Sequence, residues 1–200
     1  MNTQALGTEL TSDKALDLLR EGNLRFVSNI RMNRNFHEEV EATKEGQEPF
    51  AVVISCMDSR TSPELVFDRG LGDIFSIRLA GNVVTPEVIG SVEYACAAVG
   101  SKAVVVLGHT GCGAIKGTLA KVQLGKLPTI TARIAECISD EVCPDVVTEK
   151  NVLAGMRALE EESTVLRELL HQEKIKIIGG IYDITTGKVS FMDHAHPRHS

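Results

Sequence analysis

The sequence predicts an α/β fold with a mostly parallel central sheet of four strands plus an antiparallel edge strand. Helices are expected on both faces, together with an N-terminal helical arm. The first observation is a set of short, predominantly apolar runs at 51–54, 104–107 and 175–181, which are typical of buried strands. The second is that segments with helical periodicity lie between these runs. This alternation is typical of a parallel sheet covered on both sides.

The individual elements follow from the same patterns. Strands are predicted at about 50–55, 74–79, 102–107, 175–181 and 189–192, and helices at 12–28, 62–67, 85–99, 114–122, 128–138 and 145–171. Thr11 or Ser12 is the candidate cap of the first helix, and Pro63 and Pro86 stand at favoured first positions. The polar stretch 29–48 is expected to wrap the surface or a partner subunit, and 193–200 to form a mobile tail. A single domain, 1–200, with an arm at 1–30, is the predicted organisation.

Composition limits the classes of function. The chain is 43% hydrophobic and carries a formal net charge of −6, which argues against binding to nucleic acid or to an anionic membrane. No apolar stretch approaches the roughly 20 residues that cross a bilayer. The first residues lack a basic segment followed by an apolar core, so no signal peptide is predicted and a cytoplasmic location is expected.

The five cysteines are odd in number and suggest no disulfide framework. A reducing compartment would keep Cys56 and Cys112 available as thiolates. Cys96 lies in a helix-like apolar segment, where a free cysteine is usually a small buried hydrophobic residue, and Cys137 and Cys143 show no distinguishing pattern.

Two fragments carry the chemistry: Cys56-Met57-Asp58-Ser59-Arg60 and His109-Thr110-Gly111-Cys112. Each follows an apolar run, and residues at the ends of parallel strands meet at one edge of a sheet. Two thiolates and one imidazole are three zinc ligands, one fewer than a closed structural site contains. The sequence therefore predicts a zinc site with an open position.

The spacing within each fragment suggests how the side chains are arranged. Cys56, Asp58 and Arg60 would face one crevice if strand geometry continued past residue 55. His109 and Cys112 are three apart, which would bring them onto one face of a helical turn. Asp58, clamped by Arg60, has two candidate roles: it could orient a zinc-bound hydroxide or move onto zinc as a fourth ligand in a closed state.

Together these residues resemble the β-class carbonic anhydrases. The likeness runs from about residue 15 to 192 and is carried by four segments: 56–60, 78–82 (Arg-Leu-Ala-Gly-Asn), 91–95 (Ser-Val-Glu-Tyr-Ala) and 108–113 (Gly-His-Thr-Gly-Cys-Gly). The resemblance implies one Zn²⁺ per subunit held by Cys56, His109 and Cys112, with Asp58 and Arg60 as the catalytic pair. It also implies reversible hydration of CO₂ to bicarbonate and a proton by zinc hydroxide attack.

The resemblance extends to a plant-like subgroup with an open zinc site. It implies that Gln47, Phe75, Tyr94 and Gly113 bind substrate, with some of these residues supplied by a neighbouring subunit. It further implies a dimer or a dimer of dimers, with residues 12–29 clasping the partner, and no cooperativity driven by bicarbonate.

Two positions depart from the family pattern, and other functions stay open. Ala80 stands where plant enzymes carry a larger valine, and Thr61 replaces the more usual valine after the catalytic pair. Carbonyl sulfide and carbon disulfide hydrolases share these motifs and are the nearest alternative. A non-catalytic zinc-dependent binding protein is a further alternative, although it would not need Asp58 and Arg60 beside the metal.

Overall fold

A computed structural model describes residues 10–138 and 143–192. Its centre is a five-stranded sheet in the order β2-β1-β3-β4-β5. The strands are β1 (Ala51–Ser55), β2 (Ile74–Arg78), β3 (Ala103–His109), β4 (Lys176–Tyr182) and β5 (Val189–Met192). The first four are parallel and β5 pairs antiparallel with β4 at the edge. The predicted fold class is therefore confirmed.

Eight α-helices are described in these residues: α1 (Ser12–Val27), α2 (Phe36–Thr43), α3 (Pro63–Val66), α4 (Pro86–Glu93), α5 (Gly113–Leu119), α6 (Pro128–Ala135), α7 (Pro144–Glu161) and α8 (Thr164–His171). A 3₁₀ turn occupies Ala80–Asn82 and a π-helical segment, Tyr94–Val99, continues α4. No helix in the described ranges is both long enough and apolar enough to cross a membrane.

The sheet separates two apolar layers, because successive side chains of a strand point to opposite faces. On one face, Val52 and Val104 belong to a buried cluster that includes residues of α4, α7 and α8. On the other face, Val53 and Val105 belong to a cluster that includes residues of α1. All five β1 residues and all seven β3 residues are buried, as expected for central strands covered on both sides.

Helix α1 uses one side to cover the sheet of its own chain. Ala15, Leu16 and Leu19 are at most 3% exposed in the layer beside β1 and β3. The Thr11 side chain accepts a hydrogen bond from the Lys14 backbone N–H and caps the helix, as predicted.

The structure differs from the predicted elements in three places. The single helix predicted at 145–171 is two helices, because the Ser163 hydroxyl accepts the Leu166 N–H and begins a new helix there. The stretch 29–48 contains α2, which Asn35 caps through the His37 and Glu38 amides. The last part of the helix predicted at 85–99 is π-helical rather than α-helical. The predicted tail, 193–200, lies outside the described residues.

Candidate metal centre

The two chemical fragments meet at the carboxyl ends of β1 and β3. Cys56 directly follows β1, and His109 is the last residue of β3, the parallel neighbour of β1. Cys112 stands at the N-cap of α5. Their candidate ligand atoms all lie within 4.8 Å of one another, and all three residues are buried. The predicted ligand set is thus one compact group.

The route from His109 to Cys112 differs from the predicted helical turn. His109 is still in the strand, Cys112 has extended backbone angles, and Gly111 between them has φ +68°. A left-handed residue reverses the chain, and glycine adopts that conformation without steric cost. The two ligands therefore converge across a tight turn rather than along one face of a helix.

The His109 ring is oriented for a metal. Its Nδ1 lies 3.0 Å from the Thr110 carbonyl oxygen, which fixes the tautomer with the proton on Nδ1. Its Nε2 is buried and has no hydrogen-bond partner. An unpaired buried nitrogen is costly, and a bound cation beside two sulfur atoms would satisfy it.

The sulfur of Cys56 is surrounded by donors. The backbone N–H groups of Gly81 and Asp58 point at it from 3.3 and 3.4 Å. The Cys112 thiol is the main cause that holds the pKa of Cys56 well below its usual range, with these two amides as lesser causes, against the opposing effect of burial. The pKa of Cys112 is raised in return, because its thiol donates to the Cys56 sulfur.

This donor set fits zinc. Two thiolates and one imidazole are soft and intermediate ligands that tetrahedral Zn²⁺ accepts, and the ion would replace the proton shared by the sulfurs. Within residues 10–138 and 143–192, the group contains no fourth histidine, cysteine or carboxylate ligand atom. Three protein ligands are the number found in catalytic rather than structural zinc sites.

Asp58 and Arg60 form a two-point ion pair next to the ligands. Arg60 Nε donates to Asp58 Oδ1 at 2.9 Å and Nη2 donates to Oδ2 at 2.7 Å, while the Arg60 backbone N–H also donates to Oδ1. Strand geometry does not continue past residue 55, so this folded-back contact replaces the predicted alternation. The carboxylate is thereby held by the guanidinium.

The side chain of Arg60 is the main cause that holds the pKa of the Asp58 carboxyl well below its usual range. A lowered carboxyl pKa contributes stability above the unfolded value of about 4, and that contribution is lost as pH falls toward the folded pKa. We expect Arg60→Gln to raise the pKa of Asp58 toward 4. Carboxyl ¹³C NMR titration would measure it, and identical Asp58 titrations in both proteins would contradict this cause.

The turn at Ala80–Asn82 connects the metal centre to α7. Gly81 donates its N–H to the Cys56 sulfur, and its carbonyl accepts a 2.8 Å hydrogen bond from the side chain of Asn151. Gly81 has φ +68°, and a Cβ there would lie 2.7 Å from the Cδ1 atom of Ile134. Glycine is therefore favoured at this position mainly by its left-handed conformation, with close packing as a lesser cause.

We expect Gly81→Ala to lower the free energy of unfolding by about 2 kcal/mol, from left-handed strain and overlap. We also expect it to weaken zinc binding about tenfold, because the donor to the Cys56 sulfur is displaced. Urea unfolding and chelator competition would measure the two effects. Gly117→Ala, in the open interior of α5, is the matched control and should be neutral or stabilising. Unchanged zinc affinity in Gly81→Ala would contradict the role of its N–H.

The proposed substrate residues lie in three different places. Phe75 and Tyr94 line one groove of about 410 Å³, whose lining residues include none of the three candidate zinc ligands. Gln47 is exposed in the segment between α2 and β1. Gly113 is the first residue of α5, adjacent to Cys112. Their roles toward substrate stay predictions.

Several residues that shape the site lacked a sequence signal for that role. Asn151 lies on α7, 70 positions along the chain from Gly81, whose carbonyl it binds. Nothing in the local sequence pattern around Asn151 indicates this role. Thr61 departs from the family pattern, and its hydroxyl donates to the carbonyls of Cys56 and Asp58. Arg78, the first residue of the segment 78–82, donates to the same two carbonyls from Nε and Nη2.

The fold and the site define a class: an α/β protein with a Cys₂His metal centre and an adjacent Asp–Arg pair at the carboxyl edge of its sheet. A family model described as "Carbonic anhydrase" matches residues 51–189. The chain therefore belongs to the carbonic anhydrase family, and its structural neighbours identify the β class.

The relatives span most of the chain. Carbonic anhydrase 2 of Mycobacterium tuberculosis is 33% identical over 187 residues, covering 88% of this chain and 90% of the relative. The β-carbonic anhydrase CafA of Aspergillus fumigatus has 26% identity and a TM-score of 0.73, with 92% of each chain covered. Tetrameric β-carbonic anhydrases of Sordaria macrospora share the fold at 24% identity and a TM-score of 0.65, covering 79% of this chain and 91% of theirs.

Proposed function

We propose that the protein is a zinc-dependent enzyme that reversibly hydrates CO₂ to bicarbonate and a proton. The observation that carries this proposal is the buried, unpartnered Nε2 of His109, grouped with two cysteine sulfurs beside an ionised Asp–Arg pair. Zinc bound by Cys56, His109 and Cys112 would supply an acidified water as the nucleophile. Membership of the carbonic anhydrase family supports CO₂ as the substrate.

The residues of the chain would orient that water and the substrate. The Asp58 carboxylate accepts hydrogen bonds only, so it would accept one from the nucleophile and turn a lone pair toward carbon. Arg60 keeps the carboxylate ionised and in place through its two-point contact. The same contact supports an open site, because Asp58 must leave Arg60 before it can become a metal ligand.

We further propose that substrate binding involves Gln47, Phe75, Tyr94 and Gly113, and that two subunits combine to build the pocket. Tyr94 is 59% exposed in the single chain, which suits a residue that faces a partner subunit. Apolar side chains at the end of α1 and beyond it are also exposed, among them Leu24 at 66% and Ile30 at 69%. Such residues favour burial against a second copy, and sedimentation velocity that shows only monomer would contradict this.

The decisive experiment measures zinc content and stopped-flow CO₂ hydration on the same sample, with carbonyl sulfide and carbon disulfide as parallel substrates. We expect about one zinc per chain and rapid CO₂ hydration that is lost on chelation and restored by zinc. Hydrolysis of the sulfur compounds without CO₂ hydration would favour the alternative hydrolase. Bound zinc with no turnover of any of the three would favour a binding protein.

We also propose a cytoplasmic location. Cys56, Cys96, Cys112 and Cys137 are thiols outside any disulfide, and a centre with two thiolate ligands is best preserved where thiols stay reduced. Fractionation of the producing cell would test the location.

A further inference from the structure

One hydroxyl group, that of Thr61, hydrogen-bonds back to two carbonyls earlier in the segment 56–61. Thr61 is 1% exposed, and its Oγ1 lies 3.0 Å from the Cys56 carbonyl oxygen and 2.9 Å from that of Asp58. The Thr61 backbone N–H also donates to the Asp58 carbonyl, at 3.0 Å. A single hydroxyl proton is thus shared by the carbonyl of a zinc-ligand residue and the carbonyl of the residue that carries the catalytic carboxylate.

We propose that Thr61 is a positioning residue that fixes the separation between the zinc ligand Cys56 and the carboxylate of Asp58. This inference rests on the proposed function in so far as it concerns catalysis. The backbone of each residue carries the side chain that works at the site. A shift of either carbonyl therefore moves the ligand or the carboxylate, and geometric errors of about 1 Å at such sites are costly in rate.

Arg78 donates to the same carbonyls, so the contribution of Thr61 must be separated from it. Arg78 is exposed and its guanidinium sits at the end of a long, flexible side chain. Thr61 is buried, and its β-branched side chain has few rotamers. The hydroxyl is therefore the rigid member of the pair.

The presence of Arg78 also makes the test practical. When the Thr61 hydroxyl is removed, both carbonyls retain the guanidinium as a donor, so neither becomes an unsatisfied buried group. Valine has the same shape as threonine without the hydroxyl proton. Thr61→Val is therefore expected to fold, and the comparison of Thr61→Ser with Thr61→Ala isolates the hydroxyl on a smaller side chain.

The experiment compares Thr61→Val, Thr61→Ser and Thr61→Ala with the unaltered protein and with Thr148→Val. Thr148 is the matched control, since it is 2% exposed and donates its hydroxyl to the Pro144 carbonyl within α7. Three measurements are made on each: the visible absorption spectrum of the Co²⁺-substituted protein, the zinc dissociation constant by chelator competition, and kcat/KM for CO₂ hydration. The first two do not depend on activity.

We expect Thr61→Val and Thr61→Ala to change the Co²⁺ spectrum, weaken zinc binding about threefold and lower kcat/KM about tenfold, the scale of one lost hydrogen bond. Thr61→Ser and Thr148→Val should match the unaltered protein within about twofold. An unchanged spectrum and zinc affinity in Thr61→Val, equal losses in Thr61→Ser, or the same changes in Thr148→Val would each overturn the inference. If the unaltered protein binds zinc but hydrates no CO₂, the proposed function fails, and the spectrum and affinity still decide the role of Thr61.

Discussion

Cys56→Ser is expected to abolish stable zinc binding and, with it, CO₂ hydration. The Cys56 sulfur receives two backbone N–H donors, and its pKa is lowered, chiefly by the Cys112 thiol, so this position favours a negative charge. A serine hydroxyl stays protonated and is a poor zinc ligand. Loss of a residue that only hydrogen-bonds to a metal ligand already costs about 10–100-fold in metal affinity. Loss of a ligand itself should therefore cost on the order of a thousandfold.

Chelator competition and zinc quantification after desalting would measure this loss, with stopped-flow hydration alongside. Cys137→Ser makes the same chemical change outside the ligand group, at a half-buried cysteine. It should retain about one zinc per chain and normal activity. A Cys56→Ser protein that holds a full equivalent of zinc at the affinity of the unaltered protein would show that Cys56 is not a ligand.

The ligands were predictable because each is attached to a strong local signal. Cys56 and His109 come at or directly after apolar runs, and parallel strands bring such ends together whatever the details of the loops. The residues that support these ligands were not predictable in the same way. The Gly81 N–H donates to the Cys56 sulfur, and the Asn151 side chain donates to the Gly81 carbonyl. Both contacts join distant parts of the chain, which no local pattern contains.

The same difference between local patterns and distant contacts explains which helices and strands were predicted correctly. The strands follow from the apolar runs that alternate with helical segments, and the prediction of four parallel strands with one antiparallel edge strand is confirmed. The break between α7 and α8 depends on one capping hydroxyl, that of Ser163, inside a region with continuous helical periodicity. A pattern that spans both helices hides the cap, because the apolar positions continue through it.

The residues predicted to bind substrate could not be placed at the site from the sequence alone. Phe75 and Tyr94 lie together in one groove, but that groove includes none of the three candidate ligands. Their predicted role therefore requires a second subunit that brings this groove to a metal centre. The proposal that two subunits complete the pocket accounts for both the separation and the exposure of Tyr94.

Asp58→Asn is expected to retain zinc yet lose most CO₂ hydration. The Asp58 side chain is not among the three grouped ligands, so the ligand set stays intact. The amide is neutral, and whichever terminal atom faces Arg60, only one oxygen remains to accept its two donors at 2.9 and 2.7 Å. The variant thus loses both the negative charge beside the nucleophile and the two-point contact. Positioned proton acceptors contribute about 10²–10⁴-fold, so we expect kcat/KM to fall at least about a hundredfold.

The control for this variant is Asp17→Asn, which removes the charge from another Asp–Arg pair, the exposed 3.1 Å contact with Arg20 on α1. That change should leave both zinc content and kcat/KM unaltered, since exposed pairs contribute little. Asp58→Asn with normal zinc and full activity would remove the carboxylate from the mechanism and leave the metal and its three ligands as the whole catalytic apparatus. A loss of zinc together with activity would instead make Asp58 a ligand in the working enzyme, which the Arg60 contact argues against.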